Sequence, residues 1–404
     1  MSEGLVTGEA WLTIIGMGED GPDGLSLASR QALEAAEVVM ASPRHLALVP
    51  DAGAERIAWP VPFADGLPIL LSLRGRRVVV LASGDPFWFG AGAVFAAALA
   101  PDEWRALPAP STFAQVAARQ GWALEHTLCL GLHAAPLTRL RPHLAPGRQA
   151  IVLLRDGAAV TDLAAYLVAE GFGASGLTVL EALGGPRERI TQARADALPA
   201  IAFAHPVAVA IVVAGDGAVI PRASGIADSF FETDGQITKR PVRALALSAL
   251  APRYGEMLWD IGGGSGSIAI EWLLSDPSTQ AISIEVRADR AQSIRANADR
   301  LGVERLQVIE GLAPAALEGL PAPAAVFIGG GLSADLLDSL IARLAPGVRM
   351  VAHAVTLESE ALLAQAAVRW GGDLLRIELA EDAPLGGRRG WKAAFPVVQW
   401  RVVL

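Results

Sequence analysis

A glycine-rich loop constrains the fold of the C-terminal half of this 404-residue chain. The loop follows the apolar run Met257–Ile261, which has the length of a buried strand, and precedes the helical pattern Ser267–Leu274. An acid is followed by glycines at alternate positions, so the backbone can turn tightly and approach a ligand without an intervening side chain. The pattern predicts a ligand site formed by Asp260, Gly262, Gly263, Gly264, Ser265 and Gly266.

A carboxylate about 20 residues further on helps to define that ligand. Glu285 ends the next apolar run, where it can accept both hydroxyl protons of a ribose and would repel a 2′-phosphate. A dinucleotide-binding loop has glycines at its first, third and sixth positions, whereas Ser267 occupies the sixth position here. The alternate glycines therefore favour a nucleoside over a dinucleotide.

Apolar runs and helical patterns alternate through the rest of this half, which predicts an α/β fold with a parallel, doubly wound sheet. Leu374–Leu379 and Pro396–Val403 follow one another without a clear helix between them, so a final antiparallel hairpin is expected. A turn after one predicted strand places Leu312 and Ala313 where they can line an adenine. Gly329–Gly331 follows another strand, at the sheet edge where ligands of such folds bind.

The N-terminal half also alternates short apolar runs with turns and helical patterns, which predicts a separate α/β domain. The segment Pro221–Gln236 is rich in Pro, Gly, Ser, Asp and Thr, the residues of turns and linkers. The chain is therefore predicted to form one domain over residues 1–220, a linker over 221–237 and a second domain over 238–404.

Loops at strand ends predict a further ligand site in the N-terminal domain. Ser83–Pro86 follows an apolar strand and has the composition of a rigid turn. Similar loops are Gly16–Gly18, Pro110–Thr112 and Gly184–Pro186. Together they suggest a cleft built from strand-end loops. Its candidate residues are Gly84, Asp85, Pro86, Ser111 and Thr112 for a cofactor, and His133 for a substrate.

Composition excludes several classes of function. A net charge of −9 disfavours general binding of nucleic acid, which needs a basic face. The single cysteine and the scattered histidines lack the spacings of metal sites, so no bound metal is expected. Apolar runs are too short for a membrane helix and no secretory signal is recognisable, which predicts a cytoplasmic protein without a membrane partner.

Several segments carry a resemblance to a known family. They are Phe231–Arg240, Trp259–Trp272, Ala352–Glu358 and Pro396–Trp400, while Ser83–Pro86 is similar to the corresponding turn of tetrapyrrole methylases. Over nearly its whole length the chain resembles the decarboxylating precorrin-6Y C5,15-methyltransferases of cobalamin biosynthesis. The resemblance implies a tetrapyrrole-methylase-type α/β domain followed by a Rossmann-like, doubly wound methyltransferase domain.

The resemblance also implies a reaction and a cofactor. The N-terminal domain would methylate C5 of precorrin-6Y, and the C-terminal domain would methylate C15 and remove the ring C acetate carboxyl, giving precorrin-8. The methyl donor would be S-adenosylmethionine, with Thr238 joining the glycine loop, Glu285, Leu312 and Ala313 in binding it. No catalytic side chain is assigned. Two departures from the family pattern are His353, where asparagine is expected, and Glu19–Gly21, where related methylases carry a proline-containing loop.

The tetrapyrrole substrate has many carboxylates, so local cations should hold its periphery. Arg388, Arg389 and Lys392 are the candidates for this role, and His353 is a further candidate substrate contact. We also expect a homo-oligomer. Two alternatives remain open at this point: an NAD-dependent dehydrogenase fused to a binding domain, and a fusion in which the N-terminal domain binds a cofactor without catalysis.

Overall fold

The structure, a computed structural model, describes residues 10–51 and 53–404. The chain divides into two compact units. The first unit extends to Pro136 and continues with Leu144–Ala218, and the second comprises Leu137–His143 and Val219–Leu404.

The first unit begins with a five-stranded parallel sheet in the order β3-β2-β4-β1-β5. Its inner strands are uninterrupted apolar runs because both faces are covered by other elements. The strands are β1 (Leu12–Met17), β2 (Val38–Ala41), β3 (Glu55–Ala58), β4 (Val78–Ser83) and β5 (Trp104–Leu107). The helices among them are α1 (Leu27–Glu34), α2 (Pro43–Leu48), α3 (Gly66–Ser72) and α4 (Gly92–Ala98).

A second five-stranded sheet completes the first unit, in the order β6-β7-β10-β8-β9. Only the β6–β7 pair of this sheet is parallel. Its strands are β6 (Leu128–Gly131), β7 (Gln149–Leu154), β8 (Gly176–Glu181), β9 (Arg189–Arg194) and β10 (Val207–Val212), and its helices are α5 (Thr112–Gln120) and α6 (Ala158–Ala169).

The second unit is built on a seven-stranded sheet in the order β13-β12-β11-β14-β15-β19-β16. Its first five strands are parallel, and β19 runs antiparallel to both of its neighbours. The seven strands are β11 (Met257–Ile261), β12 (Gln280–Glu285), β13 (Gln307–Glu310), β14 (Ala325–Ile328), β15 (Arg349–Ala354), β16 (Asp373–Ile377) and β19 (Val397–Val403). Two further strands, β17 (Ala380–Leu385) and β18 (Arg388–Ala393), lie outside this sheet. Strand order reverses at β11, which makes the carboxyl end of β11 the expected ligand crevice.

Helices cover both faces of this sheet. One layer contains α7 (Arg240–Leu250), α8 (Ser267–Ser275) and α9 (Ala288–Arg300), and the other contains α10 (Ala334–Arg343) and α11 (Leu357–Trp370). Alternate residues of a strand point to opposite faces of the sheet. Leu258 packs in the core beneath α7, α8 and α9, and Trp259 packs in the core beneath α10 and α11. The predicted α/β fold with a doubly wound second domain is confirmed.

The chain between β16 and β19 differs from the sequence-based expectation. The two strands do pair antiparallel, but β17 and β18 form a separate two-stranded hairpin between them. The side chains of this hairpin are mostly exposed, so it has no alternating apolar pattern by which the sequence would reveal it.

The segment predicted to be a linker, residues 221–237, packs on the second unit. Ile226 and Phe231 are buried in the core beneath α7 and α8. The Glu271 carboxylate accepts hydrogen bonds from the backbone N–H groups of Gly225 at 2.6 Å and Ile226 at 3.1 Å. The fully buried Arg243 guanidinium pairs with the same carboxylate and lies 4.9 Å from the Phe231 ring centroid. The buried residues of this segment are few and widely spaced, so its composition is that of a free linker.

Replacing Arg243 by alanine should destabilise the second unit by about 3–5 kcal/mol, because the Glu271 carboxylate would remain buried without its cation. Urea unfolding of the full chain, with hydrogen exchange of α7 and α8 peptides, measures the effect. The matched control is Arg295→Ala, which breaks an exposed pair with Glu310 and should cost no more than about 1 kcal/mol. An equal loss of unfolding free energy in the two variants would contradict the role of Arg243 as the buried partner of Glu271.

Candidate active sites

The glycine loop of the second unit is held by close backbone packing. Gly262, Gly264 and Gly266 have φ angles of 72°, 58° and 75°, in the left-handed region. A Cβ atom on Gly262 would lie 2.6 Å from the backbone of Gly330, and one on Gly263 would lie 2.0 Å from Ser283 Oγ. A Cβ on Gly264 would meet only Gln236 O, at 3.8 Å. Gly264 therefore faces the open side of the loop, where a ligand can approach.

Glu285 ends β12 directly beside this loop. One carboxylate oxygen accepts a hydrogen bond from Gly264 N at 2.9 Å, and the other accepts one from Arg287 N at 3.0 Å. A carboxylate has about four acceptor positions, so about two remain for a ligand hydroxyl pair. The backbone N–H of Gly311, in the turn that carries Leu312 and Ala313, donates to Glu285 O at 3.0 Å. The structure thus brings the glycine loop, Glu285 and the turn that begins at Gly311 together at one sheet edge.

Asp260 lies beneath the loop and is only 1% exposed. Burial raises the pKa of its carboxyl to about 7, and the nearby charge of Glu285 acts in the same direction. Ser283 Oγ donates to it at 3.3 Å. Its burial makes Asp260 a support for the loop, whereas the sequence pattern predicted a contact with the ligand itself.

Asn297 was not predicted from the sequence, although it is fully buried beside the loop. Its Nδ2 donates to Ser265 O at 3.0 Å and to Glu232 O at 2.9 Å, while its Oδ1 accepts from Glu232 N at 2.8 Å. It therefore ties the glycine loop to the segment that leads to Thr238. The sequence feature that could have revealed Asn297 is its position as a polar residue on the apolar face of α9, between Ile294 and Leu301.

The substrate candidates of the second unit lie in different surroundings. His353 Nε2 lies 3.0 Å from Gln399 Oε1, and its ring packs edge-on against Phe327 with centroids 4.9 Å apart. Burial lowers the pKa of His353 to about 4, so the ring is neutral near pH 7. Its side chain is thus engaged within the sheet, and its proposed contact with substrate has no support here.

The basic candidates lie on β18, in the hairpin between β16 and β19. Pairing of Ala354 with Val398 and of Ile377 with Val397 shows that the hairpin starts at the carboxyl edge of the parallel strands, the edge that carries the glycine loop. Arg388, Arg389 and Lys392 are exposed, and Arg389 forms an ion pair with Asp382.

The first unit contains a cavity of about 700 Å³. Of the predicted residues, Gly84, Asp85, Ser111, Thr112 and His133 line it. Pro86 does not: it is buried behind the turn, where its carbonyl accepts a hydrogen bond from Gly92 N at 2.8 Å. A turn motif does not reveal which of its members line a cavity, and a cofactor contact of Pro86 stays a prediction.

Close packing of strand-end loops forms one end of this cavity. A Cβ atom on Gly16 would lie 1.9 Å from Gly84 O, and Gly84 itself has a φ of 55°. Ser111 caps α5 by accepting a hydrogen bond from Ala114 N at 3.1 Å. The predicted loop 184–186 contributes no lining residue, although the adjacent Leu183 does.

Aromatic rings that are not among the candidate site residues form much of the wall. Trp88 packs against Phe113 with centroids 5.1 Å apart, and Trp59 stacks on Phe63 at 4.8 Å. All four residues line the cavity. Large flat apolar surfaces of this kind suit a conjugated ring system.

Comparisons with known proteins agree with this division. A family model described as tetrapyrrole (corrin/porphyrin) methylases matches residues 11–199. A model described as a precorrin methyltransferase domain matches residues 229–404. A precorrin-6Y C(5,15)-methyltransferase [decarboxylating] from Sinorhizobium sp is 52% identical over 395 residues, covering 96% of this chain and 95% of that protein. The chain belongs to the decarboxylating precorrin-6Y C(5,15)-methyltransferase family.

Two further relatives of this methyltransferase family match one part of the chain. A solved C-terminal domain of precorrin-6Y C5,15-methyltransferase from Rhodobacter capsulatus is 55% identical and covers 46% of this chain and all of its own, with a TM-score of 0.45. A cobalt-precorrin-6B C(15)-methyltransferase (decarboxylating) from Salmonella typhi is 32% identical over 166 residues, 40% of this chain and 85% of that protein.

Membership of the precorrin-6Y methyltransferase family confirms the predicted resemblance and the predicted class of enzyme. It also sets aside the dehydrogenase alternative, which rested on the glycine loop and Glu285 alone. Within residues 10–51 and 53–404, no helix is long and apolar enough to span a bilayer. In the same residues, no group of three or more His, Cys, Asp or Glu side chains is arranged to hold a metal ion.

Replacing Asn297 by alanine should loosen both segments that it joins, because three backbone groups would lose their partner. The free energy of local opening should fall by about 1–3 kcal/mol, which should accelerate amide exchange roughly 10-fold to 100-fold in residues 229–237 and 262–267. Hydrogen exchange with mass spectrometry measures this. The control is Ser293→Ala on the same helix, a half-buried position whose hydroxyl bonds Asp289 O within that helix. Unchanged exchange in both segments would show that Asn297 does not position the loop.

Asp260 should make the stability of the second unit depend on pH. Its pKa in the folded chain is about 7, above the unfolded value of about 3.9, so its favourable contribution is present below about pH 4 and lost as pH rises through 7. Asp260→Asn does not titrate. Its melting temperature relative to wild type should therefore rise between pH 5 and pH 8. Asp102→Asn, at an exposed position, is the control; a pH-independent difference for Asp260→Asn would refute the prediction.

Proposed function

We propose that this chain methylates precorrin-6Y at C5 and C15 with S-adenosylmethionine and removes the ring C acetate carboxyl, giving precorrin-8. The first unit acts at C5, and the second acts at C15 and in decarboxylation. The observation that supports this proposal is that each of the two units has a candidate ligand site at its own strand-end loops. The Salmonella typhi relative, named for the C15 reaction with decarboxylation, matches only 166 residues, which supports assigning that reaction to one unit.

The second unit fits an adenosyl group. The open side of Gly264 admits the ribose, the remaining acceptor positions of Glu285 can take its hydroxyl protons, and Leu312 presents an exposed apolar side chain for the adenine. Ser265 Oγ is buried and has no partner among the described residues, so it can form a hydrogen bond with a ligand in the loop. The sulfonium methyl supplied by the bound donor is the electrophile for transfer to carbon.

The chain's own contribution to methyl transfer is orientation. A meso carbon of the substrate must be aligned with the methyl group and opposite the sulfur, and fixed loops supply this alignment without a nucleophilic side chain. In the second unit, the Gly262–Gly330 packing and the Asn297 hydrogen bonds keep the loop rigid. In the first unit, the aromatic walls hold the macrocycle and exclude water.

Decarboxylation also demands positioning. When carbon dioxide leaves, its bonding electron pair stays on the substrate, where the conjugated macrocycle can take it up. The hairpin cations Arg388, Arg389 and Lys392 are proposed to hold the peripheral carboxylates, because they extend from the same sheet edge as the cofactor loop. A cytoplasmic location and a homo-oligomeric state stay predictions from the sequence.

Variants at the two sites should separate the two reactions. Wild type with precorrin-6Y and S-adenosylmethionine should add two methyl groups and lose carbon dioxide, as measured by mass spectrometry. Asp85→Ala should retain the C15 methylation and decarboxylation but lose C5 methylation at least 10-fold, whereas Glu285→Ala should show the reverse, since each removes a carboxylate from one site only.

The controls are Asp102→Ala and Glu318→Ala, at exposed positions of the first and second units. If one variant lost both reactions while remaining folded, the assignment of one reaction to each unit would be wrong. A wild-type first unit that binds the donor but never methylates C5 would favour the non-catalytic alternative.

A further inference from the structure

One end of the cavity in the first unit is polar, in contrast to its aromatic walls. Arg44, at the start of α2, lines this end together with Glu19, His45 and Ser83. Of the described lining residues, Arg44 is the single arginine or lysine, and Glu19 and Asp85 are the carboxylates. The Asp85 carboxylate accepts a hydrogen bond from Phe87 N at 2.8 Å. Arg44 is thus the positive group available to a ligand in this cavity.

Its neighbours hold the Arg44 guanidinium in one orientation. Arg44 Nη1 pairs with Glu19, and Arg44 Nη2 lies 2.9 Å from both Ser83 Oγ and His45 Nε2. Burial lowers the pKa of His45 to about 3, and the charge of Arg44 acts in the same direction, so the neutral ring can accept this hydrogen bond. Both Nη2 N–H groups are thereby engaged, while the Nε–H group has no partner among the described residues and stays available to a ligand.

The charge balance around Glu19 favours an anion. Glu19 is buried and is shared by two cations, since Arg187 Nη2 also lies 3.1 Å from its Oε2. Two guanidinium groups therefore face one carboxylate. Burial lowers the pKa of Arg44, and repulsion from Arg187 adds to this effect, so a second carboxylate would relieve an unfavourable arrangement. His205 lines the same cavity, and burial together with these arginines lowers its pKa, so it adds no positive charge near pH 7.

We propose that Arg44, oriented by Glu19, His45 and Ser83 and assisted by Arg187, forms a carboxylate-binding subsite in the first unit. The ligand group is a carboxylate of the tetrapyrrole periphery or the carboxylate of the methionine part of the methyl donor. The inference rests on the proposed function, which places both molecules in this cavity. A guanidinium held in one orientation binds a carboxylate through charge-assisted hydrogen bonds, so the subsite would fix the register of the bound molecule.

The test uses the full chain and measures the C5-methylated product by mass spectrometry over a range of precorrin-6Y and S-adenosylmethionine concentrations. Arg44→Gln should raise the KM for one of the two molecules about 10-fold to 100-fold, the range expected for loss of a charge-assisted hydrogen bond, with a smaller change in kcat. Arg44→Lys should recover part of the affinity, because it restores the charge but not the guanidinium group. If the KM rises for precorrin-6Y alone, Arg44 binds a tetrapyrrole carboxylate. If it rises for S-adenosylmethionine alone, Arg44 binds the carboxylate of the methyl donor.

C15 methylation by the same molecules is the internal control and should stay unchanged. Arg76→Gln, which breaks an exposed ion pair with Glu55 outside the cavity lining, is the matched substitution. If Arg44→Gln does not fold, the exposed Arg187→Gln should still raise the same KM about 3-fold to 10-fold. Unchanged KM values for both molecules in the folded variants would overturn the subsite while leaving C5 methylation intact. Absence of C5 methylation in wild type would instead overturn the proposed function.

Discussion

Backbone contact at the carboxyl edge of the parallel sheet is the constraint on which the second unit depends. Gly262 and Gly330 approach so closely that a single Cβ atom on Gly262 would lie 2.6 Å from the facing backbone. The loop after β11 can therefore lie against the loop after β14 only with glycine at position 262. Their contact leaves Gly264 on the open side and brings its N–H to Glu285. The candidate cofactor site is thus a consequence of how two strand ends pack.

Buried polar groups then hold this arrangement in place. Asn297 joins the glycine loop to residue 232, and the Arg243–Glu271 pair holds residues 225 and 226 on the same unit. Unpaired polar groups are costly in a protein interior, so each satisfied network restricts its segment to one arrangement. The chain before Thr238 is consequently part of the second unit, even though its composition is that of a linker.

The first unit creates a ligand site by different means. Its cavity has aromatic walls and one charged end, and the strand-end turns at Gly16 and Gly84 close upon each other there. Apolar walls suit a large conjugated macrocycle, while oriented cations can recognise its acidic periphery. In the proposed function, the two units share a common chemistry of methyl transfer, in which rigid positioning takes the place of a reactive side chain.

The amino-acid sequence was enough to predict the two α/β domains, the strand-loop-helix order around Asp260–Gly266 and the place of Glu285 at the end of β12. These features are local: periodicity, glycine spacing and chain order depend on neighbouring residues. Other features depend on the tertiary fold: Asp260 lies beneath the loop, Pro86 is buried outside the cavity lining, and His353 is engaged with Gln399. Asn297 and Arg44 likewise have polar partners from distant parts of the chain. Burial and hydrogen-bond partners depend on which segments meet in space, and a local pattern does not contain that information.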